Sequence, residues 1–155
     1  MNSVRGHVVL VGHRGAGKST WLGPVAKRLG RKAFDLDDFI ATREGQSVRE
    51  LFESSESKFR SAEREAFLSI EGKAVIAVGG GFLSHHADLL EGHTPVLVTI
   101  DFATYRERML ADTTRPRLLP HLSLEEEIAT VFAEREKLHA RIATVELQTF
   151  LKGLP

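Results

Sequence analysis

The residues 12–20 read GHRGAGKST. Gly12, His13, Arg14, Gly15, Ala16, Gly17, Lys18 and Ser19 satisfy G-x-x-x-x-G-K-[ST] in full. Glycines accept positive φ and let backbone N–H groups turn inward as an anion nest. A helix starting near Gly17 adds the positive end of its dipole. Lys18 then reaches terminal phosphates, and the Ser19 hydroxyl takes a hard cation. Such a loop binds phosphate. It does not by itself distinguish hydrolysis, transfer or plain binding.

A second group of chemistry-bearing residues follows. Asp35 and Asp37 flank one residue just after a short strand signal. If strand geometry persists there, both carboxylates share one face. One carboxylate there can hold Mg²⁺, and another can take a proton from an attacking hydroxyl. Composition alone favours a plainer role, with Asp35, Asp37 or Asp38 capping a helix at Phe39. Arg60 has Glu56, Glu63 and Glu65 within helical reach, which by spacing alone reads as a surface ion pair. Gly79-Gly80-Gly81 follows another apolar run.

The elements that must position these residues are legible as runs. His7–Val11, Ala74–Val78 and Val96–Ile100 are apolar and rich in β-branched residues, as expected for strands buried on both faces. Lys32–Phe34 and Thr144–Leu147 are weaker strand candidates. Trp21, Leu22, Val25, Ala26 and Leu29 share a helical face, as do Phe59, Ala62, Ala66, Phe67 and Ile70. Ser123-Leu-Glu-Glu126 is a capping box that opens a helix running to about Ala140. Strands alternating with helices predict a parallel sheet with helices on both faces. Ligands of such sheets bind beyond the carboxyl ends of the strands, where both glycine runs fall.

Composition narrows the function classes. The 155 residues fit one domain, 1–155, with 42% hydrophobic residues. Lys plus Arg and Asp plus Glu balance at 21 each, and the basic residues are scattered. No nucleic-acid or membrane partner is expected. There is no cysteine, which excludes disulfide and thiolate chemistry. No run approaches a membrane span and no signal-peptide core is present, so a cytoplasmic protein is expected. His85, His86 and His93 lack partners at metal-ligand spacing and read as loop histidines.

The ordered set resembles the shikimate kinase family of small P-loop kinases. The matching residues are the glycine loop, Asp35-Leu-Asp37, Ile40, Gly45, Phe59-Arg60-Ser-Ala-Glu63, Gly79-Gly80-Gly81, Arg115-Pro116, and Arg135 to Ala143 with His139 where tyrosine is usual. The resemblance runs from about Val8 to Thr149. It implies a three-layer P-loop kinase fold, with a central parallel sheet of about five strands. It implies Mg-ATP-dependent phosphorylation of the shikimate 3-hydroxyl, on the route to aromatic amino acids, by a monomer whose partners are ATP and shikimate.

Roles follow by matching position. ATP would contact Gly12, Arg14, Gly15, Ala16, Gly17, Lys18, Ser19, Thr20 and Arg115. Ser19 and Asp35 would hold Mg²⁺. Asp37 would bind substrate hydroxyls and act as base. Arg60 and Arg135 would grip the substrate carboxylate, with Glu63 orienting Arg60. Gly80 and Gly81 would offer backbone amides, and Val48, Phe52 and Phe59 an apolar wall. Residues 35–63 form the expected substrate region. Residues 111–121, ADTTRPRLLPH, form the expected lid, and Arg117 is the candidate second lid arginine beside Lys18 and Asp37 as catalytic residues.

Two features depart from the family pattern. Arg117 is out of register, and only QTFLKGLP follows the last strand candidate, where Gly153 and Pro155 disfavour helix continuation. These departures suit one alternative, a binding domain of this fold that senses aromatic acyl-CoA without turnover, against which the retained Asp35, Asp37, Arg60 and Arg135 argue. A second alternative, a related kinase acting on gluconate, shares the glycine loop. The second leaves Phe59-Arg60-x-x-Glu63 unexplained, and no role is assigned to His13.

Overall fold

A computed structural model describes residues 4–114, 116–142 and 144–154. Its centre is β1, Val8–Val11, in which all four residues are buried. The strand period of two sends them to opposite faces. Val9 and Val11 enter one apolar core, and Val8 and Leu10 enter another. That two-sided burial explains why the run carries no polar alternation.

Four further strands complete an all-parallel sheet in the order β2-β3-β1-β4-β5. They are β2 (Ala33–Asp35), β3 (Val75–Ala77), β4 (Thr94–Leu97) and β5 (Val145–Glu146). The first core is closed by α2 (Leu36–Glu44), α3 (Val48–Ser54), α4 (Glu56–Ser69) and α5 (Phe82–His86), which supply Ile40, Leu51, Phe67 and Phe82. On the other face, α1 (Lys18–Leu29) supplies Leu22 and Val25, and α8 (Leu147–Lys152) supplies Leu147 and Phe150. Two further helices, α6 (Phe102–Ala111) and α7 (Leu124–Arg141), pack against each other, and α7 also meets α5. No helix among the described residues is long and apolar enough to cross a membrane.

Three local expectations shift. The strand expected at Val96–Ile100 runs instead from Thr94 to Leu97. Pro95 falls inside it without cost. Thr94 N–H donates to His7 and Val98 N–H to Val11, so the even positions face β1, and β5 pairs only from Val96 onward. The proline's missing donor therefore points where no strand lies. Secondly, strand geometry does not persist past Asp35. Helix α2 begins at Leu36, and the Asp35 side chain caps it by accepting from Asp37 N and Asp38 N. Thirdly, the tail does form a helix, α8. Glu146 caps it through Gln148 N and Thr149 N, and the helix stops at Gly153, where the sequence places its breaker.

Candidate active site

The glycine loop leaves β1 at the carboxyl edge of the sheet, where the chain order splits toward β3 and β4. Gly12, Gly15 and Gly17 all take positive φ. Gly17, at φ 103°, precedes α1 with no side-chain cap, so the first N–H groups of that helix are not consumed by a neighbouring side chain. The buried Lys18 ammonium donates to the carbonyls of Gly12 and His13, at 2.9 Å for the latter. This folds the side chain back along the loop. Arg14 to Trp21 line a cavity of about 560 Å³, which Asp35, Asp37 and Gly80 also reach.

Ser19 Oγ donates to Asp35 Oδ2 at 2.8 Å, while Asp35 Oδ1 caps α2. Asp35 is thus both a helix cap and a neighbour of the loop hydroxyl. A hydroxyl and a carboxylate oxygen side by side at a phosphate loop form the all-oxygen donor set that suits Mg²⁺.

A second cavity, of about 300 Å³, adjoins the first. Asp37, Gly79, Gly80 and Arg14 line both. Asp37 reaches it from the first turn of α2 rather than from a strand. Arg60 on α4 and Arg135 on α7 enter from the far side. A methyl group built on Gly81 would lie 2.7 Å from Arg60 Nη2 and 3.1 Å from Arg135 Nη2; one on Gly80 would lie 2.7 Å from Arg135 Nη1. The glycines are therefore the space into which two guanidinium groups project, and any side chain there would displace them. Val48, Phe52 and Phe59 line the same cavity, and the Arg60 guanidinium lies 4.9 Å from the Phe59 ring centroid.

Two like charges that converge need support. Arg60 Nη1 donates to Glu63 Oε1 at 2.9 Å, and Glu63 is 1% exposed. The pairing is not the screened surface bridge that spacing alone suggests. The same Oε1 lies 3.0 Å from His86 Nε2. His86 is buried on α5, which corrects its reading as a loop histidine. No ion pair to Arg135 occurs among the described residues, and burial followed by the neighbouring Arg60 pushes its pKa down. Glu63 and Glu134 act on Arg135 only at a distance, and Glu63 is already shared by Arg60 and His86, so the buried guanidinium beside Arg60 makes a strong anion site.

The remaining expected residues divide. Thr114, Pro116 and Leu118, from the segment expected as a lid, line the second cavity. Arg115 lies outside the described residues. Arg117 is not brought into either cavity: its Nε pairs with Glu127 at 2.8 Å and its Nη2 donates to the Leu122 carbonyl. The glutamate competes successfully because it sits on α7 directly beneath the loop, where it also accepts from Leu118 N and Leu119 N. Sequence reasoning missed Arg108. This residue, in the last turn of α6, donates to the Gly15 carbonyl and lines the first cavity. The signal available was a basic side chain in the turn just before the lid.

Comparison with known proteins follows the same lines. Residues 14–152 match the family model described as shikimate kinase. A shikimate kinase of Thermobifida fusca is 37% identical, with 95% of this chain and 87% of the relative covered. Among solved structures, a shikimate kinase from Acinetobacter baumannii in complex with shikimate superposes with a TM-score of 0.78 at 26% identity, covering 92% of this chain and 83% of that one. The shikimate kinase from Aquifex aeolicus gives 0.75 at 30% identity, covering 91% and 85%.

Proposed function

This chain belongs to the shikimate kinase family, and we propose that it transfers the γ-phosphoryl group of ATP to the 3-hydroxyl of shikimate, giving shikimate 3-phosphate and ADP. The observation that carries the assignment of the acceptor side is the convergence of Arg60 and Arg135 over Gly81, in a cavity shared with Asp37. Paired guanidiniums suit a carboxylate, and the neighbouring carboxylate suits hydroxyls.

Each group then has a task. The phosphate loop and Lys18 hold the β- and γ-phosphates, and Arg14 and Arg108 border the same cavity. Ser19 and Asp35, whose side-chain oxygens lie side by side, would hold Mg²⁺, which would offset phosphate charge. Arg60, kept in place by Glu63, and Arg135 fix the acceptor carboxylate. That orients the acceptor hydroxyl toward Asp37, which takes its proton as the oxygen attacks phosphorus. The new O–P bond forms as the bond to the ADP oxygen breaks. Val48, Phe52, Phe59 and the 111–121 segment exclude water, so phosphate goes to the bound alcohol rather than to solvent.

We take the working unit to be a monomer, one kinase domain with residues 35–63 as acceptor region, acting in the cytoplasm. A coupled assay of ADP release tests the assignment. ADP release at saturating Mg-ATP should require shikimate and be far slower with gluconate. Shikimate-independent release, or none, overturns it.

A further inference from the structure

His13, in the phosphate loop, takes no part in the scheme above, yet it is 1% exposed. Its side chain turns away from the nucleotide side into a pocket of rings. It stacks on Phe132 at 4.1 Å between centroids and 10° between planes, and it meets Tyr105 at 5.2 Å and His139 at 4.7 Å. Its Nε2 lies 2.7 Å from Glu136 Oε1, while its Nδ1 is buried with no hydrogen-bond partner. Glu136 and His139 both lie on α7, three residues apart, so they project from one face of the helix. One donor atom from each of His13, Glu136 and His139 lies within 4.8 Å of the other two. This is the one such trio of His, Asp or Glu donors among the described residues.

We propose that His13, Glu136 and His139 bind a single divalent transition-metal ion of borderline softness, such as Zn²⁺, and that the ion ties the phosphate loop to α7. Two imidazoles and one carboxylate form a donor set that favours such ions over Mg²⁺, which prefers oxygen and octahedral geometry. This site is therefore separate in both place and chemistry from Ser19 and Asp35. Burial pushes both imidazoles toward the neutral form that ligates, His139 to about 4. Lys18 and Arg135 also face the two histidines and oppose added positive charge. The Glu136 carboxylate offsets them. With half of its side chain exposed, it also gives the ion a route from solvent and leaves the fourth position to water. Such an ion would cross-link the segment holding Lys18 to the helix holding Arg135.

The test needs no turnover and does not depend on the kinase assignment. Nucleotide-free protein stripped with a chelator is titrated with Co²⁺ in excess Mg²⁺, following the visible d–d bands of a four-coordinate site. The expected result is saturation at one equivalent, displacement by Zn²⁺, and a melting temperature raised by Zn²⁺. Glu136→Gln and His139→Phe should lose the bands and the thermal shift, whereas His85→Asn should keep both. Because Glu136 is half exposed, its variant folds even if the ring cluster tolerates no change at His139. Absence of saturable bands, competition by Mg²⁺, loss with His85→Asn, or wild-type binding by Glu136→Gln and His139→Phe overturns the proposal.

Discussion

Eight consecutive residues, Arg14 to Trp21, line the donor cavity. The acceptor cavity next to it takes Asp37 from α2, Arg60 from α4, Gly80 and Gly81 from the turn after β3, and Arg135 from α7. Its charged members Asp37 and Arg135 stand 98 positions apart in the chain, 135 less 37. The donor half is a local structure: one strand, one turn and one helix start fix it, with backbone groups as its main ligands. The acceptor half exists only once α2, α3, α4 and α7 have docked, and its charged groups are side chains. A local site survives small tertiary shifts, but an assembled one loses its geometry when any contributing element moves by an ångström. The two halves should therefore fail differently under mutation.

Asp37 lies on both cavities, so its replacement removes chemistry rather than either binding half. Asp37→Asn keeps the shape but cannot accept the hydroxyl proton. Turnover should fall about 10²–10⁴-fold, the range for losing a general base. KM for ATP should stay within about threefold, since the donor loop is untouched. A variant that keeps more than about a tenth of wild-type turnover would place the base elsewhere.

Gly80→Ala should separate the halves more finely. Its Cβ would stand 2.7 Å from Arg135 Nη1 and 3.2 Å from the backbone nitrogen of Arg14. The buried guanidinium has little room to yield. We expect KM for shikimate to rise about 10–100-fold, which corresponds to about 1.4–2.8 kcal/mol, with KM for ATP nearly constant. Equal rises in both would show that the halves are coupled through Arg14, which borders each cavity. Steady-state kinetics with each substrate varied in turn reads the difference.

The same contrast explains what could be read beforehand. The donor loop is legible because its requirements are local: glycine where φ is positive, then Lys18 and Ser19. The two-sided burial of β1 is legible from VVLV for the same reason. The acceptor residues Arg60 and Arg135 are not legible by spacing: Arg60, four residues from Glu56, looks like any exposed helix pair, and Arg135 sits between two glutamates on a charged stretch of helix. Only the family's ordered pattern singles them out, and tertiary packing buries Glu63 to 1% exposure. His86 is missed because its partner Glu63 is 23 positions away. β4 begins before the apolar run because the nitrogen of Pro95 faces no partner strand, which only the sheet order reveals. Asp35 is ambiguous in sequence because one carboxylate has two oxygens, and the fold uses each for a different task.

The smallest effect is expected at the lid. The Arg117 side chain is 39% exposed and pairs with Glu127, an arrangement of the kind worth about 0.2–1 kcal/mol. If that pairing persists through the cycle, Arg117→Ala leaves kcat and both KM values within about threefold and lowers the melting temperature by about 1–4 °C. Glu127→Gln should cost more than Arg117→Ala, because Glu127 also accepts from Leu118 N and Leu119 N, and those bonds hold the loop against α7. A reversed order, with Arg117→Ala reducing turnover about 100-fold and Glu127→Gln reducing it little, would mean that the segment swings and delivers Arg117 to the transferring phosphoryl group. The acceptor half would then be assembled from the lid as well as from α2, α3, α4 and α7, and the contrast with the local donor loop would sharpen further.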